Sequence, residues 1–107
     1  MQNNINQIKK YCNSLTQYLR YKTREVFIGD IPLGGNNPTR IQSMTTTDTM
    51  NTIATVEQTI RMVEAGCEYV RITAPSINEA KNLEAIKKEL KIRGYAVPLI
   101  ADIHFTP

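Results

Sequence analysis

The 107-residue sequence has no tryptophan, one histidine and only two cysteines, and it contains no long apolar run. Each scarcity closes a class of function. Cys12 and Cys67 stand far apart with no histidine near either, whereas zinc and iron–sulfur sites show clustered ligands such as C-x-x-C. Both are therefore expected as free, buried or half-buried thiols, with no metal site in this chain. Without a stretch of about 18 apolar residues, nothing here is expected to span a membrane. The opening "MQNNINQIKKYCNS" lacks the apolar centre of a signal peptide, so the expected compartment is the cytoplasm. The charge excess is small, at +3. Lys9, Lys10, Arg20, Lys22 and Arg24 form a mildly basic arm ahead of the first acid, Glu25. No aromatic-interleaved basic stripe or reader motif accompanies that arm, so no nucleic-acid partner is expected.

What the sequence does have is hydrophobic periodicity, with 41% hydrophobic residues, enough for one small domain. Ile5, Ile8, Cys12, Leu15 and Leu19 recur at three- and four-residue steps, which predicts an amphipathic helix over 4–21. "EVFIGDIPLGG" reads as a short hairpin turning at Gly29-Asp30. The "GGNNP" loop that follows is not a Walker phosphate loop, since no Gly-Lys-Ser/Thr comes after it.

From Arg40 the organisation changes. "TRIQSM" is a strand candidate, followed by the hydroxyl-rich "TTTDT" and a helix over 52–65. That helix has an apolar face of Ile53, Val56, Ile60 and Val63, a Glu57/Arg61 pair at i,i+4, and Gly66 at its C-terminal end. "EYVRIT" is the next strand. Ser76 and Glu79 form the S-x-x-E pattern of a capping box and open a second helix, with Ala80, Leu83, Ile86 and Leu90 facing inward. Lys87, Lys88, Lys91 and Arg93 suit the dipole of its last turns as a solvated face, and Gly94 ends it. "VPLIADIHF" is the third strand.

Strand, helix, strand, helix, strand at roughly thirty-residue intervals is the length of βαβ units with parallel strands and right-handed crossovers. The fold class is α/β. Alternation places Ile100, Asp102 and His104 on one face of the third strand, with Arg71 in the second and Gln42 in the first. Polar groups among residues that favour burial need partners, and ligands bind at the carboxyl edge of parallel sheets. Arg71 suits a phosphate or carboxylate, and the "SMTTTDT" loop offers hydroxyls and a helix N-terminus to the same anion. Asp102 and His104 could orient a hydroxyl or move a proton. The plainer alternative is a structural Arg71–Asp102 salt bridge with His104 filling a gap. A metal site of the barrel-hydrolase kind lacks its further His and Asp ligands.

"RIQSMTTTDT", "ATVEQTIRMVEAGCEYVRIT" and "VPLIADIHF", in that order, resemble the N-terminal barrel segment of the 4-hydroxy-3-methylbut-2-en-1-yl diphosphate synthase family, over about residues 22–107. The longer N-terminus, "TTTDT" and "HFTP" resemble its long, three-domain form. The resemblance implies the start of a TIM (β/α)8 barrel over 25–107, behind a helical extension over 1–24. It also implies a two-electron reductive dehydroxylation of a cyclic diphosphate in isoprenoid biosynthesis, with ferredoxin or flavodoxin as electron donor and a homodimer as a candidate full-length assembly. The implied [4Fe-4S] cluster has its ligands, three cysteines and a glutamate, in a C-terminal domain that this chain does not contain. Carried over by position, Arg71 would hold diphosphate, Asp102 and His104 would line the same mouth, and Gln42 would be a lesser member. A barrel needs eight βα units and about 250 residues, so the chain is expected to be an N-terminal piece, inactive alone. The alternatives are another anion-binding barrel enzyme of the pterin-binding synthase type, or a stand-alone interaction module docking through residues 4–21.

Overall fold

The computed structural model describes residues 14–18 and 21–104. Most of the expected 4–21 helix, and Cys12 with it, lies outside that range. Within it, residues 14–18 are not helical: the Ser14 hydroxyl accepts from the Thr16 and Gln17 amides, each at 3.1 Å, and forms a local bend. Such side-chain bonds compete with helix formation, and Leu15, expected on the packed face, is exposed.

The hairpin forms as expected. β1 (Val26–Ile28) pairs antiparallel with β2 (Ile31–Leu33), with Ile28 opposite Ile31 across the Gly29-Asp30 turn. Three further strands make a parallel sheet in the order β3 (Gln42–Met44), β4 (Tyr69–Ala74), β5 (Leu99–Ile103). They are joined by α1 (Thr52–Glu64) and α2 (Ile77–Ile92).

The register decides what each face of the sheet does. Val70 lies opposite Leu99 and Ile72 opposite Ala101, while Met44 and Ile100 flank Arg71 and Asp102 lies opposite Thr73. Val70, Ile72, Val56, Ile86, Leu90 and Val97 form the buried core, so both helices pack on the Val70–Ile72 face. A doubly wound sheet would be covered on both faces. Among the described residues helices cover one face alone, an arrangement that leaves the other to line the interior of a barrel. The sheet is open, and β5 shows it: Val70 and Ile72 are fully buried, while Ala101 and Ile103 on the same face of β5 are exposed.

Both helices end in the same way. The Gly66 amide donates to the Val63 carbonyl and the Cys67 amide to that of Met62; Gly94 and Tyr95 repeat the pattern on Lys91 and Leu90. These are paired Schellman closures, and they need the positive φ seen at Gly66 (116°) and Gly94 (89°). The helix starts depart from expectation. At α2 the Ser76 hydroxyl bonds the Glu79 carboxylate and caps no backbone amide, so the capping box is not made. At α1 the cap is Asn51, whose side chain accepts from the Ala54 amide. The buried face of α1 is Thr55, Val56 and Thr59, and Ile53, expected there, is about half exposed. Glu57 and Arg61 do not pair; the i,i+4 ion pairs are Glu84–Lys88 and Glu89–Arg93 on α2. Lys87 is also not simply solvated. Its ammonium donates to the Val97 carbonyl at 2.6 Å, and partial burial lowers its pKa.

The hairpin closes the N-terminal end of the sheet. The Arg40 guanidinium donates to the Pro32 carbonyl and pairs with Glu68 at 2.9 Å, while a Glu68 oxygen accepts the Ile41 amide. These bonds pin the start of β3 to the start of β4 and leave the opposite end of the sheet open.

Candidate functional site

On the sheet face opposite α1 and α2, near the C-terminal ends of the strands, four side chains meet. Arg71 is level with Met44, the last residue of β3. Its Nη2 lies 3.2 Å from Oδ1 of Asp102, and the other Asp102 oxygen lies 3.2 Å from His104 Nε2. His104 Nε2 is also 3.2 Å from Thr73 Oγ1. Alternation in β4 puts Thr73 beside Arg71, and alternation along β5 carries Asp102 and then His104 to the same place.

The electrostatics follow from these contacts. The hydrogen bond from Arg71 holds the Asp102 carboxyl below its ordinary range; burial opposes the shift and His104 adds to it. With one oxygen on Arg71 and the other on His104, Asp102 is an anchor between two cationic or potentially cationic groups. Arg71 retains donors beyond that pair. Its side chain is 43% exposed, and its Nε is buried without a partner. The buried Nε is closed to solvent, but the exposed part of the guanidinium outside the Asp102 contact can receive an oxyanion.

The structure brings Arg71, Asp102 and His104 together as the sequence suggests, and it does not bring Gln42 to them. Gln42 is the first residue of β3 and pairs with Tyr69. It lines a cleft of about 350 Å³ at the N-terminal end of the sheet, with Leu33, Asn37 and Arg40. The strand starts at Gln42, so Gln42 stands two positions before the Arg71 level, where Met44 stands instead. Thr73 is the member that sequence reading missed. Its signal was the alternation in V-R-I-T, which puts it on the face of Arg71.

The "SMTTTDT" loop does not offer its hydroxyls as a set. Thr49 donates to the Thr73 carbonyl at 2.7 Å, and Thr55 to that of Asp48 at 3.0 Å. Thr55 has only one hydroxyl hydrogen, so in the 2.8 Å bond between Thr47 and Thr55 it is Thr47 that donates. The amides of Thr46 and Thr47 point to the Gln58 side-chain oxygen. Most of the loop's polar groups therefore hold the loop itself, with Thr45 Oγ1 buried and unpartnered, and Thr45 N–H and Thr49 O–H tie it to the carbonyls of Arg71 and Thr73. Thr46 differs: its Oγ1 accepts from Gln58 and keeps its own hydrogen.

The described residues do not fit an iron–sulfur cluster. Cys67 is their one cysteine, free and half-buried beside Val97 and Pro98 in a cleft of about 310 Å³ behind the sheet. Among the described residues no three His, Cys, Asp or Glu side chains stand close enough to hold a metal ion. Nor is any helix among them long and apolar enough to cross a membrane.

Parallel strands with helices on one face, and a cationic cluster on the other at the strands' carboxyl ends, define part of a TIM-barrel domain. The family profile described as "GcpE TIM-barrel domain" matches residues 23–107, and the chain belongs to that family. It is 54% identical over 99 residues to the 4-hydroxy-3-methylbut-2-en-1-yl diphosphate synthase (flavodoxin) of Protochlamydia amoebophila, an alignment covering 92% of this chain and 15% of that protein. It is 57% identical over 93 residues to the synthase of the same name from Bacteroides thetaiotaomicron, covering 87% and 15% of the two chains. With the Akkermansia muciniphila synthase the identity is 52% over 97 residues, covering 91% and 17%. The chain thus spans about one sixth of the length of these curated relatives.

Proposed function

We propose that this chain is the N-terminal barrel segment of a 4-hydroxy-3-methylbut-2-en-1-yl diphosphate synthase of the methylerythritol phosphate route. The full-length protein opens the ring of 2-C-methyl-D-erythritol 2,4-cyclodiphosphate and removes a hydroxyl with two electrons, yielding 4-hydroxy-3-methylbut-2-enyl diphosphate. Flavodoxin, named for the relatives, or ferredoxin supplies the electrons in the cytoplasm. A [4Fe-4S] cluster carried outside this chain would supply the electron-transfer chemistry. This segment's part is binding: Arg71 holds the diphosphate, while Asp102 and His104 set the geometry of the mouth beside it.

The observation that carries the reading is the Arg71–Asp102–His104 cluster on the sheet face opposite α1 and α2, with the Arg71 side chain 43% exposed. The stand-alone module has no comparable support, since residues 14–18 of its docking helix form a bend.

The test is calorimetric titration of the cyclic diphosphate into the oxidised full-length protein, which cannot turn it over. Arg71→Ala is expected to weaken binding about ten- to 150-fold, the equivalent of a charge-assisted hydrogen bond of about 1.5–3 kcal/mol. Unchanged affinity would remove Arg71 from the site.

A further inference from the structure

The Thr73 hydroxyl has a direction that the contacts around it determine. Asp102 Oδ2 lies 3.2 Å from His104 Nε2, and an ionised carboxylate can only accept. A lone pair on Nε2 would face lone pairs on the carboxylate, so Nε2 carries hydrogen, and Asp102 selects that tautomer. The same Nε2 lies 3.2 Å from Thr73 Oγ1. A protonated Nε2 offers no lone pair, so Thr73 can at most share the single Nε2 hydrogen with Asp102 and cannot donate to that nitrogen.

A threonine hydroxyl has one hydrogen. Among the described residues Thr73 Oγ1 has no other hydrogen-bond partner. Its hydrogen is therefore turned away from His104, on the strand face it shares with Arg71. The backbone on either side is braced, since the Arg71 carbonyl accepts the Thr45 amide and the Thr73 carbonyl accepts the Thr49 hydroxyl. A hydroxyl on so fixed a strand is a preorganised donor.

We propose that Thr73 is a further ligand-contacting residue, donating its O–H to an oxyanion that Arg71 also holds, with His104 turned by Asp102 to set that direction. The proposal rests on the reading of this cluster as the diphosphate site and adds a residue to it.

Inorganic diphosphate is the probe, titrated by calorimetry into the full-length protein and its variants. Thr73→Val keeps the shape and removes the hydroxyl; it is expected to weaken binding about tenfold, while Thr73→Ser, which keeps the hydroxyl, stays within about twofold of the parent. Arg71→Ala separates the two claims. Loss in Arg71→Ala with none in Thr73→Val overturns the role of Thr73 and leaves the site standing. Loss in neither overturns both. Equal losses in Thr73→Val and Thr73→Ser also overturn the proposal, because the hydroxyl would then not be the group that matters.

Discussion

Arg71 and Asp102 form the kind of half-exposed ion pair that contributes little to stability, so stability alone does not account for placing an arginine in a central strand. What the pair does is orient. Asp102 holds the guanidinium by one edge and His104 by Nε2. The acid limb of the folding equilibrium carries the signature of this arrangement. The Asp102 carboxyl is held below its ordinary value in the folded chain, chiefly by Arg71. Its pairing therefore adds stability above the unfolded-state pKa of about 3.9 and loses it as pH falls through the lower folded value. Asp102→Asn in the full-length protein should flatten that part of the stability curve below about pH 4, followed by denaturant unfolding at stepped pH. Curves of equal slope for parent and variant would show that Asp102 is not held by Arg71.

At the scale of elements, much was readable from the residues. The apolar steps marked both helices and the β-branched runs marked the parallel strands, while Gly66 and Gly94 marked the closures. What was not readable has a common cause: side chains chose partners that periodicity does not encode. Threonine counts as polar in a pattern, yet Thr55 is buried on α1 because its hydroxyl reaches the Asp48 carbonyl. That turns the buried face away from Ile53. The S-x-x-E spacing marked the start of α2 correctly, but the serine bonded the glutamate side chain instead of an amide. Gln42 sat in the right strand and at its wrong end, because strand length is not fixed by composition. The closures carry a prediction of their own. Nothing stands within 4 Å of a methyl group added at Gly94, so only the backbone resists one. With φ at +89°, Gly94→Ala should cost about 1–2 kcal/mol, read as a lowered denaturation midpoint of the full-length protein at unchanged m-value.

For the whole molecule, the open sheet sets the logic. Arg71, Thr73, Asp102 and His104 occupy a face that no helix among the described residues covers, and Met44 on that face and Ile103 behind it are exposed. The hairpin, Arg40 and Glu68 seal the other end of the strands. The architecture therefore has one closed end and one polar, open end, which is the polarity of a TIM-barrel domain and its binding mouth. The decisive measurement is a crystal structure of the full-length protein with the cyclic diphosphate bound. The expected result is a phosphate oxygen within hydrogen-bond distance of the Arg71 guanidinium, with Thr73 Oγ1 beside it and the Asp102–His104 contact retained. A diphosphate bound elsewhere, with this cluster untouched, would contradict the account and leave Arg71 and Asp102 as a structural pair.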